Sequence, residues 1–102
     1  MSEFQHLSVT QLQQMLKDSD KIQIADIRDP HSFAEGHIDT SIHLSNDNMV
    51  DFLRQADLDA PLVVVCYHGI SSQNAALYLN QQGFDDIYSL DGGYQAWQQA
   101  LS

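Results

Sequence analysis

Leu62-Val63-Val64-Val65-Cys66 is an unbroken apolar run with no polar alternation. A strand with one wet face alternates; a strand covered on both faces does not, and that is the situation inside a parallel sheet. Parallel neighbours need long crossover connections, normally helices. The run therefore asks for a layered α/β chain. Its flanks agree. Asp59-Ala60-Pro61 turns the chain into the run, and Tyr67-His68-Gly69-Ile70-Ser71 leads out of it. A helix is predicted from about Ser72, carrying Ala75, Ala76 and Leu79 and stopping at Gly83, a residue suited to a C-terminal cap.

The rest of the chain alternates in the same way. Phe4 to Leu7 reads as a short strand. Ser8-Val9-Thr10-Gln11 has the form of a capping box, followed by Val9, Leu12, Met15 and Leu16 at helical spacing until Asp18-Ser19-Asp20. Ile22, Ile24 and Ile27 lie in a β-rich run. Asp29-Pro30 combines an N-cap with proline at the first helical position, and that helix ends by Gly36. Ile42-His43-Leu44 is another short strand. A helix beginning near Asn46 to Asn48 presents Met49, Phe52, Leu53 and Ala56 on one face. Ile87 to Leu90 is the last strand, and Asp91-Gly92-Gly93 turns into a final helix with Trp97 and Leu101. Strands alternating with helices predict an open α/β fold with right-handed crossovers. At 102 residues, without repeat or linker, residues 1–102 are expected to form one domain.

Charge narrows the function. Fourteen acidic residues face only Lys17, Lys21, Arg28 and Arg54, for a formal charge of −10. A field of that sign repels phosphate backbones and anionic lipid, so neither nucleic acid nor a membrane surface is an expected partner. An anionic substrate would have to be held by local dipoles. No apolar run approaches the roughly 20 residues of a membrane-spanning helix. Met1-Ser2-Glu3-Phe4-Gln5-His6 has neither the basic end nor the apolar core of a secretory leader. The single cysteine forms no internal disulfide, which suits a reducing cytoplasm.

That cysteine ends the most buried strand, and open α/β sheets bind ligands outside the carboxyl ends of their strands. The helix after it begins with unpaired N–H groups and about half a positive charge. A tight turn containing Gly69 can aim further N–H groups at the same point. A thiol placed there ionises more readily, because those dipoles favour the thiolate. Three plainer readings stand beside this one. The cysteine could simply end its strand. Cys66 and His68 could begin a metal site, but no second pair of ligands lies nearby in sequence. His68 could act as a base toward Cys66, or else shape the loop and line the substrate.

Three motifs then fall in order. Asp26-Ile27-Arg28-Asp29-Pro30-His31-Ser32-Phe33-Ala34-Glu35-Gly36-His37-Ile38 resembles the N-terminal signature of the rhodanese family. Cys66-Tyr67-His68-Gly69-Ile70-Ser71 resembles its six-residue active-site loop, and Asp91-Gly92-Gly93-Tyr94-Gln95-Ala96-Trp97 its C-terminal signature. Together they span nearly the whole chain. The resemblance implies a single rhodanese-like domain with a five-stranded, mostly parallel sheet and helices on both faces. It implies a thiosulfate sulfurtransferase in which Cys66 is catalytic and carries sulfur as a persulfide. Tyr67, His68, Gly69, Ile70, Ser71 and Ser72 would then bind substrate. Thiosulfate is the implied donor, and cyanide or a thioredoxin-type dithiol the implied acceptor. No cofactor or metal is implied, and the expected state is a monomer, or at most a weak dimer. Arg28 is expected in a buried or semi-buried ion pair, with Glu35 as its candidate partner, since an unpaired buried charge is costly. His37 should bond backbone and Trp97 should sit in the core, while His6, His31 and His43 carry no functional signal.

Two alternatives share the architecture. Phosphatase or arsenate-reductase chemistry needs an arginine six positions after the cysteine, to grip a phosphoryl group with two hydrogen bonds. That position is Ser72. A non-enzymatic persulfide carrier or interaction module would keep the fold and turn over slowly. Within 66–71 there is no lysine or arginine, so donor binding is expected to rest on N–H groups.

Overall fold

In a computed structural model the described residues are 3–101. Met1 and Ser2, part of the stretch read above as lacking a leader, and Ser102 lie outside them. Five strands alternate with five helices: β1 (Gln5–Leu7), α1 (Val9–Asp18), β2 (Gln23–Asp26), α2 (Pro30–Glu35), β3 (Ile42–His43), α3 (Met49–Gln55), β4 (Leu62–Val65), α4 (Ser71–Gln81), β5 (Ile87–Leu90) and α5 (Gly93–Leu101). The sheet order is β1-β5-β4-β2-β3 and every pairing is parallel. β4 is the middle strand, as its unbroken apolar run requires.

Alternate residues of β4 feed opposite layers. Leu62 and Val64 join Phe52 of α3 and Ala76 and Leu79 of α4. Val63 and Val65 join Leu12 of α1 and Trp97 of α5. All four are fully buried, at roughly 1.5–3 kcal/mol for each larger side chain. No charge fits either layer, which explains why the strand shows no alternation.

The helix starts follow the local chemistry read from sequence. Ser8 Oγ accepts from the Gln11 N–H, and the Gln11 side chain accepts from the Ser8 N–H, closing the capping box of α1. Asp29 caps α2 through the Ser32 N–H, with Pro30 at the first helical position. Trp97 is buried, and His37 Nδ1 lies 2.7 Å from the Phe33 carbonyl.

One expectation is corrected. Arg28 is buried against Asp26, not Glu35: its Nε and Nη2 donate to the Asp26 carboxylate at 2.8–3.1 Å. Glu35 is exposed on α2 and pairs with His31 one turn away. Asp26 ends the fully enclosed part of β2, so its own carboxylate needs a counter-charge. Arg28, two residues on, folds back to supply it. The second Arg28 contact is the Gly36 carbonyl at 2.7 Å, and its guanidinium lies 4.0 Å from the centroid of the Tyr94 ring. One side chain thus joins the end of β2, the end of α2 and the start of α5.

Among the described residues, no helix is long and apolar enough to cross a membrane.

Candidate active site

Cys66 immediately follows β4. From there the chain enters α4 on one face of the sheet, whereas the neighbouring strand β5 leads into α5 on the other. Adjacent strands whose helices leave on opposite faces open a crevice beyond their carboxyl ends. The only cysteine sits at that crevice.

Most α-helices are capped by a serine, threonine or acidic side chain. The residue before α4 is Ile70, which makes no side-chain cap. The cysteine sulfur takes that place. Cys66 Sγ lies 3.3 Å from the Ser72 backbone nitrogen, 3.1 Å from that of Gly69 and 3.3 Å from Ser72 Oγ. Burial of Cys66 pushes its thiol pKa up, because the thiolate loses water. Hydrogen bonds from the Ser72 hydroxyl and from the backbone of Ser72, Gly69 and His68 push it down and outweigh burial, so the net shift is below the ordinary thiol value.

Gly69 makes the cradle possible. Its φ of +86° turns its N–H back toward the sulfur, and a Cβ there would come within 2.7 Å of the Gly92 nitrogen. The loop is also held from below. The Tyr94 and Gln95 N–H groups at the start of α5 donate to the Cys66 and Tyr67 carbonyls at 2.8 and 3.2 Å. A Cβ on Gly93, at φ +59°, would lie 2.6 Å from the Tyr67 carbonyl. Asp91-Gly92-Gly93 is therefore the seat on which the backbone of the cysteine loop rests.

The loop residues named from sequence divide into two groups. Gly69 and Ser72 are buried and touch the sulfur. Tyr67, His68, Ile70 and Ser71 are exposed, Ile70 at 73%. Tyr67 Oη is 3.1 Å from Ser32 Oγ, and His68 Nδ1 is 2.6 Å from Gln95 Oε1. Neither side chain bonds the sulfur. Beside them opens a cleft of about 420 Å³, lined among others by Arg28, Ser32, Tyr67, His68 and Tyr94. A slightly larger cleft, about 480 Å³, lies between β3 and α3, away from the cysteine loop. Size alone would favour the cleft away from the cysteine loop. Among the described residues no group of three or more His, Cys, Asp or Glu is placed to hold a metal.

Sequence reasoning missed Ser89. The Ile87–Leu90 alternation puts Ser89 on the same face as Ile87, at a core position. A polar residue there is the signal that could have drawn notice. It is fully buried and its Oγ lies 2.7 Å from Ser72 Oγ.

The downward shift of the thiol has a measurable sign. Iodoacetamide reacts with the thiolate, so the native protein should reach its alkylation plateau at lower pH than the urea-unfolded chain, whose free thiol titrates near ~8.5. Coincident pH profiles would mean that the cradle does not favour the anion.

A cysteine sulfur held by main-chain donors at the mouth of a parallel sheet defines the class. A rhodanese-like domain model matches residues 8–100, and the chain belongs to that family. Its curated relatives are narrower in name. The chain is 63% identical over 100 residues to the thiosulfate sulfurtransferase GlpE of Shewanella oneidensis, covering 98% of each protein. It is 56% identical over 94 residues to the GlpE of Pseudomonas aeruginosa, covering 92% of this chain and 84% of that one. Among solved structures, a rhodanese-like domain protein from Staphylococcus aureus superposes with a TM-score of 0.81 at 26% identity, over 92% and 91% of the two chains.

Proposed function

We propose that this chain is a thiosulfate sulfurtransferase acting through a persulfide on Cys66. The Cys66 thiolate attacks the outer sulfur of thiosulfate. A sulfur–sulfur bond forms to Sγ, the bond within thiosulfate breaks, and its electron pair leaves with sulfite. Cyanide then attacks the terminal sulfur, forming thiocyanate and restoring the thiolate. A thioredoxin-type dithiol can serve instead, leaving as a disulfide while the sulfur departs as hydrogen sulfide. Covalent storage of the sulfur separates the two half-reactions, which gives ping-pong kinetics. The Gly69 and Ser72 N–H groups hold the negative charge, and the residues from Tyr67 to Ser72 frame the donor. The whole of 1–102 works as one unit in the cytoplasm, and no metal or cofactor takes part.

The observation that supports this most is a sole cysteine whose sulfur accepts from two backbone N–H groups and is hydrogen-bonded to the Ser72 hydroxyl. The names of the close relatives support the choice of donor. The test is steady-state thiocyanate formation, with thiosulfate and cyanide varied together. Multiple turnovers with parallel double-reciprocal lines are expected. A single equivalent of thiocyanate per chain would mark a carrier and not an enzyme.

Affinity for the donor gives a second test. Arg28, the one lysine or arginine among the described residues lining the cleft, is committed to Asp26 and Gly36 and is not free to serve the doubly negative donor. Ile70 is exposed at the start of α4. Ile70→Arg should lower the thiosulfate KM, by about tenfold or less, since a charge-assisted contact is worth roughly 1.5–3 kcal/mol before screening. Added salt should raise KM more in the variant than in the parent. An unchanged KM in a folded variant would show that charge at the rim does not limit binding.

A further inference from the structure

Behind the sulfur runs a short buried chain of hydroxyls. Ser72 Oγ is 3.3 Å from Cys66 Sγ and 2.7 Å from Ser89 Oγ. Ser89 lies on β5, in register with Val64 of β4, on the side facing α4. Both serines are fully buried. Ser72 Oγ is the only partner of Ser89 Oγ among the described residues.

The protons of this chain can be counted. With Cys66 ionised, Ser89 donates to Ser72 and Ser72 donates to the sulfur, so each proton has an acceptor. With Cys66 protonated, the three groups carry three protons but share only two contacts, so one of the protons has no acceptor within the chain. Keeping Ser89 pointed at Ser72 strands either the S–H or the Ser72 proton. A buried donor without a partner is costly, so the chain is complete only around the anion. It also ends at Ser89, so it cannot conduct the proton away.

We propose that Ser89 is a positioning residue for the reacting sulfur: its hydroxyl holds that of Ser72 as a donor aimed at Cys66 Sγ. This rests on Cys66 being the reacting group, but not on which compound gives it sulfur. The charged and titratable groups around the loop are Tyr67 and His68 on it, Arg28 with Asp26 at the end of β2, Tyr94 on α5, and Asp91 after β5. None of them bonds the sulfur; Asp91 is taken up by His6, Arg28 by Asp26 and His68 by Gln95.

The experiment is a cycle of Ser72→Ala, Ser89→Ala and the double variant, read as the pH midpoint of Cys66 alkylation. Ser89→Ala removes one oxygen and leaves the pairing of β5 intact; thermal unfolding checks that each variant is folded. Should Ser89→Ala not fold, Ser89→Gly removes the same oxygen and is read in the same way. Ser72→Ala should raise the midpoint by about one pH unit and Ser89→Ala by about half a unit, the latter slowing alkylation at neutral pH roughly threefold. Adding Ser89→Ala to Ser72→Ala should move the midpoint no further. A Ser89→Ala midpoint equal to that of the parent would overturn the proposal. So would an equal shift in both backgrounds, which would mean that Ser89 acts without Ser72. Alkylation needs no sulfur donor, so a failure here is distinct from a failure to turn over thiosulfate.

Discussion

Cys66→Ser is expected to fold like the parent and to lose sulfur transfer by at least about a thousandfold, because a serine hydroxyl cannot form the sulfur-bonded intermediate on which both steps depend. The substitution exchanges one atom in a buried position whose surroundings are main-chain N–H groups and a hydroxyl. An oxygen accepts those hydrogen bonds as well as sulfur does, so the cradle and the start of α4 should persist. Near-normal thermal unfolding with no thiocyanate formation is the expected pair of results. Turnover within tenfold of the parent would place the chemistry elsewhere in the chain.

The second large effect is structural. Arg28→Ala leaves the Asp26 carboxylate buried without its guanidinium, and removing one partner of a buried pair costs about 3–5 kcal/mol. For a domain of this size that lowers Tm by roughly 12 °C or more. The loss has a consequence at the site, because the same guanidinium bonds Gly36 and packs on Tyr94, whose N–H donates to the Cys66 carbonyl. The double variant Asp26→Ala, Arg28→Ala should be clearly less destabilised than the sum of the two single variants, since it leaves no lone charge. A parent-like Tm for Arg28→Ala would show that the pair does not anchor β2 to α2 and α5.

How much of this was legible beforehand depended on the range of each interaction. The middle position of β4 could be read from Leu62 to Val65 because burial on both faces erases alternation. The caps at Ser8 and Asp29 could be read because capping is decided within three residues. The place of Cys66 at a strand end was legible for the same local reason, and the family resemblance supplied the sheet around it. Contacts that join distant segments were not legible. Nothing near Arg28 says whether it turns to Asp26 or Glu35, since burial of Asp26 is a property of the assembled sheet. The docking of Tyr94 and Gln95 N–H groups on the loop joins residues 28 positions apart. The glycines that permit it were matched as a motif, without their reason. Ser89 was overlooked because its importance comes from Ser72 above it, on another element. Ile70 illustrates a different gap. Its poor capping chemistry hints that something else caps α4, but only the geometry names the cysteine.

The central claim is that Cys66 stores the sulfur. Intact-mass spectrometry of the parent protein, desalted after exposure to thiosulfate, tests it most directly. The account predicts a gain of one sulfur atom per chain, located on the peptide containing Cys66, and its removal by cyanide with thiocyanate released in equal amount. An unchanged mass, or added sulfur that cyanide does not remove, would contradict it.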